Sequence, residues 1–247
     1  MGEQTRFYTK WGIILVLLSI ATYTAHYCIF KDAHHLAIFL LEDIAFVFLE
    51  VLLVSLIIHR MIEADAARSR LEKLNMVIGA FFTQVGNYLL RTCVENDPNI
   101  SDYRSKLIFD QDVSFKELNR KFESVQKFDA KVNTDRETLL DIRNFLMQAK
   151  DFQLRLVENP VILEHEQFSE LLRSVLHLTE ELVARMDIRE ISDKDLDHVM
   201  NDLARCYKNL VKEWFRYVLH MQKEYPYLFS FVVRTNPFKT DPCPNVN

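Results

Sequence analysis

Glycine occurs only four times in this chain, at Gly2, Gly12, Gly79 and Gly86, and is absent from 87 to 247. A P-loop or a dinucleotide fingerprint needs glycines where the backbone turns tightly or approaches a phosphate, so neither can be built here. Two-residue β-hairpins lean on the same residue. Nucleotide-binding α/β folds and most β-sandwiches are thereby excluded, and an all-α fold is expected. At 247 residues the chain has room for one large or two modest domains.

Two apolar runs stand at the start. Trp11 to Phe30 is 20 residues without a formal charge, and Leu36 to Ile58 is 23 residues. At about 1.5 Å per residue, each is long enough to cross a hydrocarbon layer of roughly 30 Å. The first is too long for a signal-peptide core, and no Ala-x-Ala-like cleavage site closes it. With only Lys31 to His35 between them, the runs predict a transmembrane hairpin over 1–60, its turn on the far side. Arg6 and Lys10 precede the first run, and Arg60, Arg68, Arg70 and Lys73 follow the second, whereas the turn holds only Lys31. The positive-inside tendency then puts both termini in the cytoplasm of an inner-membrane protein. Trp11 suits the inner interface, and Tyr23, Tyr27 and Phe30 the outer one.

From Arg60 onward, basic and acidic residues nearly balance, 27 against 30, which gives no basic surface for nucleic acid. The rest reads as amphipathic helices. A long post-membrane helix over 61–95 carries Leu71, Leu74, Ile78, Phe81, Val85 and Tyr88 on one stripe, and Asn96-Asp97-Pro98 ends it. After a short linker, Ser114 with Glu117 and Thr134 with Glu137 form capping-box signatures. The first opens a stripe of Phe115, Leu118, Phe122, Val125 and Phe128, the second one of Leu139, Ile142, Phe145, Leu146 and Phe152. Pro160 breaks the chain. Phe168, Leu171, Val175, Leu178, Leu182 and Met186 follow on one helix. Ser192 then caps a long one bearing Leu196, Val199, Leu203, Cys206, Leu210, Trp214 and Tyr217. Heptad-like spacing in successive helices joined by short turns predicts an antiparallel bundle over 96–225. An aromatic cap and a loose Pro-containing tail are expected over 226–247.

The second run is the informative one, because it carries Glu42, Asp43 and Glu50. Carboxylates inside a bilayer cost a few kcal/mol and persist only when paired, protonated, or facing water or protein. Asp43 and Glu50 share a helix face and lie about 10 Å apart along the axis. Val47, Val54 and Ile57 continue that stripe. In a symmetric oligomer it would make acidic rings, with Glu50 at the midplane and Glu42 and Asp43 at the mouth, above an apolar gate. Cation pathways are built this way. Two blander readings stand beside it: interhelical glue to Tyr23, Thr24 or His26, and docking of another subunit.

His34, His35 and His26 near the turn are candidate ligands of an outer zinc-, nickel- or cobalt-type site. His165, flanked by Glu164 and Glu166, and Asp195-x-x-His198 hint at metal chemistry in the bundle. A di-iron centre would want paired Glu-x-x-His spacings, and none pair up here, so solvated helix faces are the better reading. Cys28, Cys93, Cys206 and Cys243 form neither a zinc spacing nor a disulfide framework. Nothing marks a nucleophile elbow, and no enzymatic activity or resident cofactor is expected. Gly79 and Gly86, with Phe81 and Phe82, read as an oligomerising or bundle-core segment, since small residues let a neighbouring helix approach closely, with an interfacial membrane helix as the alternative.

The runs Tyr225-Pro-Tyr-Leu-Phe-Ser-Phe-Val-Val-Arg-Thr-Asn-Pro-Phe238 and Leu71-Glu-Lys-Leu-Asn-Met-Val-Ile-Gly-Ala-Phe-Phe82 resemble segments of bacterial two-span membrane proteins of unassigned function. That resemblance covers most of the chain and carries no residue roles with it. The Gly-Met-Asn loop of CorA-type magnesium channels is absent. Asp43-Ile44 echoes the acidic motif of the mitochondrial calcium uniporter, without its preceding Trp or its later Glu-Pro. The leading expectation is a homo-oligomeric membrane cation channel or transport protein. The alternative is a non-conducting, membrane-anchored scaffold or sensor whose cytoplasmic bundle binds a protein partner.

Overall fold

The structure is a computed structural model describing residues 2–245, with side chains from Arg6 onward. It is helical throughout, with no strand among the described residues, and divides into two compact units, 1–67 and 68–247.

The first unit holds α1 (Gly2–Phe30) and the N-terminal part of α2 (Ala33–Phe81). Only Lys31 and Asp32 separate them. Lys31 takes a left-handed backbone at φ 51°, and its amide closes the last turn of α1 on the Tyr27 carbonyl at 2.9 Å. Asp32 Oδ1 accepts from the His35 amide at 3.0 Å, satisfying a donor at the start of α2. The expected five-residue turn is therefore shorter, because Asp32 starts the second helix early and draws His34 and His35 into its first turn. Along α1 the hydroxyls of Thr22 and Thr24 donate to the Leu18 and Ile20 carbonyls, at 2.8 and 2.7 Å. Such back-bonding lets a polar side chain sit on a helix that offers it no other partner.

The second unit is a helical bundle. It contains the end of α2, then α3 (Asn87–Glu95), α4 (Ile100–Leu107), α5 (Phe115–Val125), α6 (Arg136–Gln148), α7 (Lys150–Val157), α8 (Pro160–Leu163), α9 (Glu166–Ala184), α10 (Asp193–Glu224) and α11 (Pro226–Arg234). Central to it is α10, against which α9, α5, α11 and α3 pack. Tyr207, Leu210, Val211, Trp214, Phe215 and Val218 of α10 are buried. Each such side chain contributes about 1.5–3 kcal/mol by leaving water.

Caps explain where these helices start. Ser114 and Ser192 accept from the amides of Glu117 and Asp195, both at 3.2 Å, as the capping box at Ser114 and the cap expected at Ser192 require. Thr134 does not cap α6. Asp135 does, accepting from the Thr138 amide at 2.7 Å, and that bond holds the Asp135 carboxyl below the usual carboxylate range. The helix expected from Leu139 to Phe152 is broken at Ala149, where α6 gives way to α7. Buried Gln153 justifies the break: its Nε2 donates to the Leu146 carbonyl at 3.3 Å and its Oε1 accepts from Thr179 of α9 at 3.1 Å. The linker after Pro98 contains α4. Met186 is 97% exposed, because α9 ends two residues earlier at Ala184, and Leu71 is exposed as well.

The tail is not loose at its start. Phe238 is fully buried edge-on to Trp214, with ring centroids 5.2 Å apart. Asn236 holds it there, donating to the Leu107 carbonyl at 3.0 Å and accepting from the Phe238 amide at 2.9 Å. Residues 246 and 247 of that expected tail lie outside the described residues.

Candidate functional site

The stripe expected to line a pathway lies in the first unit. Asp43 finds its partner within the chain: Tyr23 of α1 donates to Asp43 Oδ2 at 3.0 Å. That bond is the interhelical glue of the blander reading. Seven residues advance a helix by about 700°, 20° short of two turns, so Glu50 lies on nearly the face that Asp43 turns to Tyr23. Val47, Val54 and Ile57 share the stripe and are half exposed, against 74% for Phe48. Glu42 and Glu50 are exposed, with no hydrogen-bond or ion-pair partner among the described residues.

The three histidines near the turn do not converge. His35 stands edge-on to Phe39 with centroids 4.6 Å apart, and His26 tilts against Phe30 at 4.8 Å. Neither these two nor His34 belongs to the group of potential metal ligands found among the described residues. The segment read as oligomerising or bundle-core contributes to the chain's own core. Phe81, Phe82 and Gly86 are buried, and Phe81 meets Phe168 edge-on at 5.4 Å. A Cβ on Gly86 would stand 2.5 Å from Phe82 Cδ1, and one on Gly79 would stand 3.0 Å from the Tyr217 hydroxyl. Within the chain, Gly79 is thus approached by Tyr217 of α10, and Gly86 by the Phe81 and Phe82 rings of its own segment.

Convergence occurs elsewhere, between α9 and α10. His177 and Glu181 lie four residues apart on α9, and His198 and Asp202 four apart on α10, so each pair shares a helix face. The helices meet in reversed order, which brings the pairs together. His177 Nε2 and His198 Nε2 each stand 3.5 Å from Asp202 Oδ2, and His198 Nε2 stands 3.5 Å from Glu181 Oε2. Ligating atoms of Glu181, His198 and Asp202 lie within 4.8 Å of one another. His177 joins them through Asp202.

Asp202 is the unusual member. It is 3% exposed, and its Oδ2 accepts no hydrogen bond. Arg205 approaches the other oxygen, Oδ1, at 3.4 Å. A buried carboxylate oxygen without a donor costs about 1–3 kcal/mol or more. Around the cluster, Arg185 donates to Glu181 Oε2 at 2.8 Å and binds both Asp195 oxygens, at 2.6 and 3.2 Å. Its guanidinium holds the Glu181 and Asp195 carboxyls below the usual range. Asp195 is thus committed to an arginine and not to His198, while His165 caps α9 by accepting from the Phe168 amide at 3.1 Å. The sequence signal for this cluster was a His-x-x-x-carboxylate spacing repeated on two helices. The di-iron template, with its i,i+3 spacing, passes over it.

Fold and site define a class: a helical protein of two parts, with an N-terminal helix pair and a C-terminal bundle in which a buried aspartate meets half-exposed histidines and a glutamate. Among the described residues one helix, Arg6–Phe30, is long and apolar enough to cross a membrane. Residues 70–234 match the family described as the C-terminal helical domain of uncharacterized protein MJ1433, and residues 3–62 match its N-terminal helical domain. The chain belongs to that MJ1433 family, whose two domains flank the division between the units. It is 41% identical over 237 residues to uncharacterized protein MJ1433 of Methanocaldococcus jannaschii, covering 96% of this chain and 95% of the relative. That relative is archaeal, which corrects the bacterial setting expected from the C-terminal run. No solved structure matches the chain.

Proposed function

We propose that the chain is a membrane-anchored sensor. In this reading α1 and the apolar part of α2 span the cell membrane as a two-helix hairpin, and an antiparallel bundle stands in the cytoplasm with both termini. One observation carries it. The apolar side chains of both helices are exposed all round, Ile29 at 72%, Leu41 at 71% and Phe48 at 74%. A helix that is apolar on every face needs a membrane or a protein core to bury it, and the chain supplies no core there. The near-balanced charge of the bundle suits a binding domain for a ligand or a cytoplasmic protein and gives nucleic acid no basic face. Alkaline carbonate extraction tests the anchor: the full chain is expected in the membrane pellet, and release into the supernatant would contradict it.

A second reading, the homo-oligomeric cation pathway, is favoured by Glu50, which has no hydrogen-bond or ion-pair partner among the described residues. Several copies could gather Glu50 around an axis, where carboxylates attract cations. Reconstituted protein should then carry cation flux that Glu50→Gln greatly reduces while assembly is retained. Unchanged flux in that variant would remove the reading.

A further inference from the structure

We propose that His177, Glu181, His198 and Asp202 form a binding site for a first-row transition-metal dication of the zinc class. The donor set is two imidazole nitrogens and two carboxylates, which suits zinc, cobalt or nickel far better than magnesium or calcium. Geometry supports it independently. A tetrahedral ion at about 2.0–2.1 Å from each ligand sets neighbouring donors roughly 3.3–3.4 Å apart. His198–Asp202 and His198–Glu181 are each 3.5 Å, and the ligand atoms of these three residues lie within 4.8 Å of one another. His177 Nε2, 3.5 Å from Asp202 Oδ2, stands outside that group and has to close in to complete a tetrahedron. Asp202 Oδ2 is buried, accepts no hydrogen bond and faces both imidazoles, so an ion would supply the partner it lacks.

The surroundings fit a held ligand. Arg205 engages Asp202 Oδ1 and leaves Oδ2 to the ion. Arg185 shares the Glu181 Oε2 that faces His198, so metal entry displaces that one bond. Arg185 stays anchored by its two bonds to Asp195. Loading the site therefore ties α9 to α10 and releases one arginine contact on α9, a local change of the kind a sensor uses. As a binding site the cluster stands without the membrane reading. As the sensor's ligand site it rests on that reading.

The test is calorimetric titration of zinc into the full chain in detergent, purified without an oligohistidine tag and stripped with chelator. All arms carry Cys28→Ser and Cys243→Ser, since those two thiols are exposed. One zinc per chain is expected, and cobalt loading should give the intense visible bands of a tetrahedral site. His177→Gln and His198→Gln change half-exposed side chains and should fold normally. Each is expected to weaken binding at least tenfold, and Asp202→Asn more, while His34→Gln/His35→Gln changes nothing. Absence of zinc binding, or binding that survives both His198→Gln and Asp202→Asn, would overturn the site. A zinc-dependent change in the mass of the intact complex would support the sensor role. Binding without that change would uphold the site and retire its role in the sensor.

Discussion

Three side chains carry the chemistry of this chain by being buried without full compensation. Asp202 is one, and its substitution separates charge from packing: Asp202→Asn keeps the shape and removes a buried charge whose Oδ2 accepts no hydrogen bond, with Arg205 beside the other oxygen. Metal-free Asp202→Asn should therefore melt no lower than the parent, and it should lose the rise in melting temperature that zinc gives the parent. Asp97 is a second. It is 5% exposed, its Oδ1 accepts from the Asn99 amide at 2.8 Å, and burial pushes its carboxyl above the usual range. With the folded-state value raised, the native state binds the proton first as pH falls. The penalty for the charged form is thus present at neutral pH and disappears toward pH of about 4, where the unfolded group titrates. Asp97→Asn should stabilise the bundle in urea at pH 7.5, with a gain that shrinks at pH 4.5. A gain of equal size at both values would contradict this assignment. Glu213, at 2% exposure beside Arg216, is a third, its carboxyl also raised by burial. None of the three was legible as buried from sequence. An aspartate or glutamate on an amphipathic helix is ordinarily solvated, and burial depends on which neighbour the face meets.

At the scale of elements, local chemistry was readable wherever it acts within one turn. Ser114, with its capping box, and Ser192 cap the helices they announce, and Ser192→Ala should cost about 1 kcal/mol, measured by denaturant unfolding. Thr134 misled because Asp135 beside it is the stronger acceptor and competes for the same amides. The helix α4 was read as linker since Ile100–Leu107 carries few apolar residues, and only Leu107 is buried. The His-x-x-x-carboxylate pairs were present in the sequence, yet only the reversed packing of α9 on α10 joins them. Between α2 and α3, Phe82–Gly86 forms a π-helical turn, with Gly86 pressed against the Phe82 ring. Such insertions recur at constrained positions. Gly86→Ala adds a methyl where an enclosed ring cannot yield, and should destabilise the bundle by about 1–3 kcal/mol. Stability unchanged in that variant would show that the ring can give way.

At the scale of the whole molecule, the account joins an apolar helix pair to a helical bundle, and the four cysteines report on that arrangement. Burial pushes the Cys206 thiol up to about 12 and raises Cys93 well above its ordinary value, whereas Cys28 and Cys243 are exposed. Reactive thiols are thus confined to α1 and to the C-terminal segment. The two N-terminal helices were legible from two long apolar runs, of which Arg6–Phe30 is, among the described residues, long and apolar enough to cross a membrane. What they enclose was not, because a stripe of carboxylates reads alike whether it bonds a neighbouring helix or lines a pathway, and only the Tyr23–Asp43 bond distinguishes them at one position. The most direct measurement uses a membrane-impermeant maleimide on sealed, right-side-out vesicles carrying the Cys28→Ser/Lys31→Cys chain. The account predicts labelling at position 31 in intact vesicles and at Cys243 only after detergent is added. Labelling of Cys243 in sealed vesicles, or protection of position 31, would contradict it.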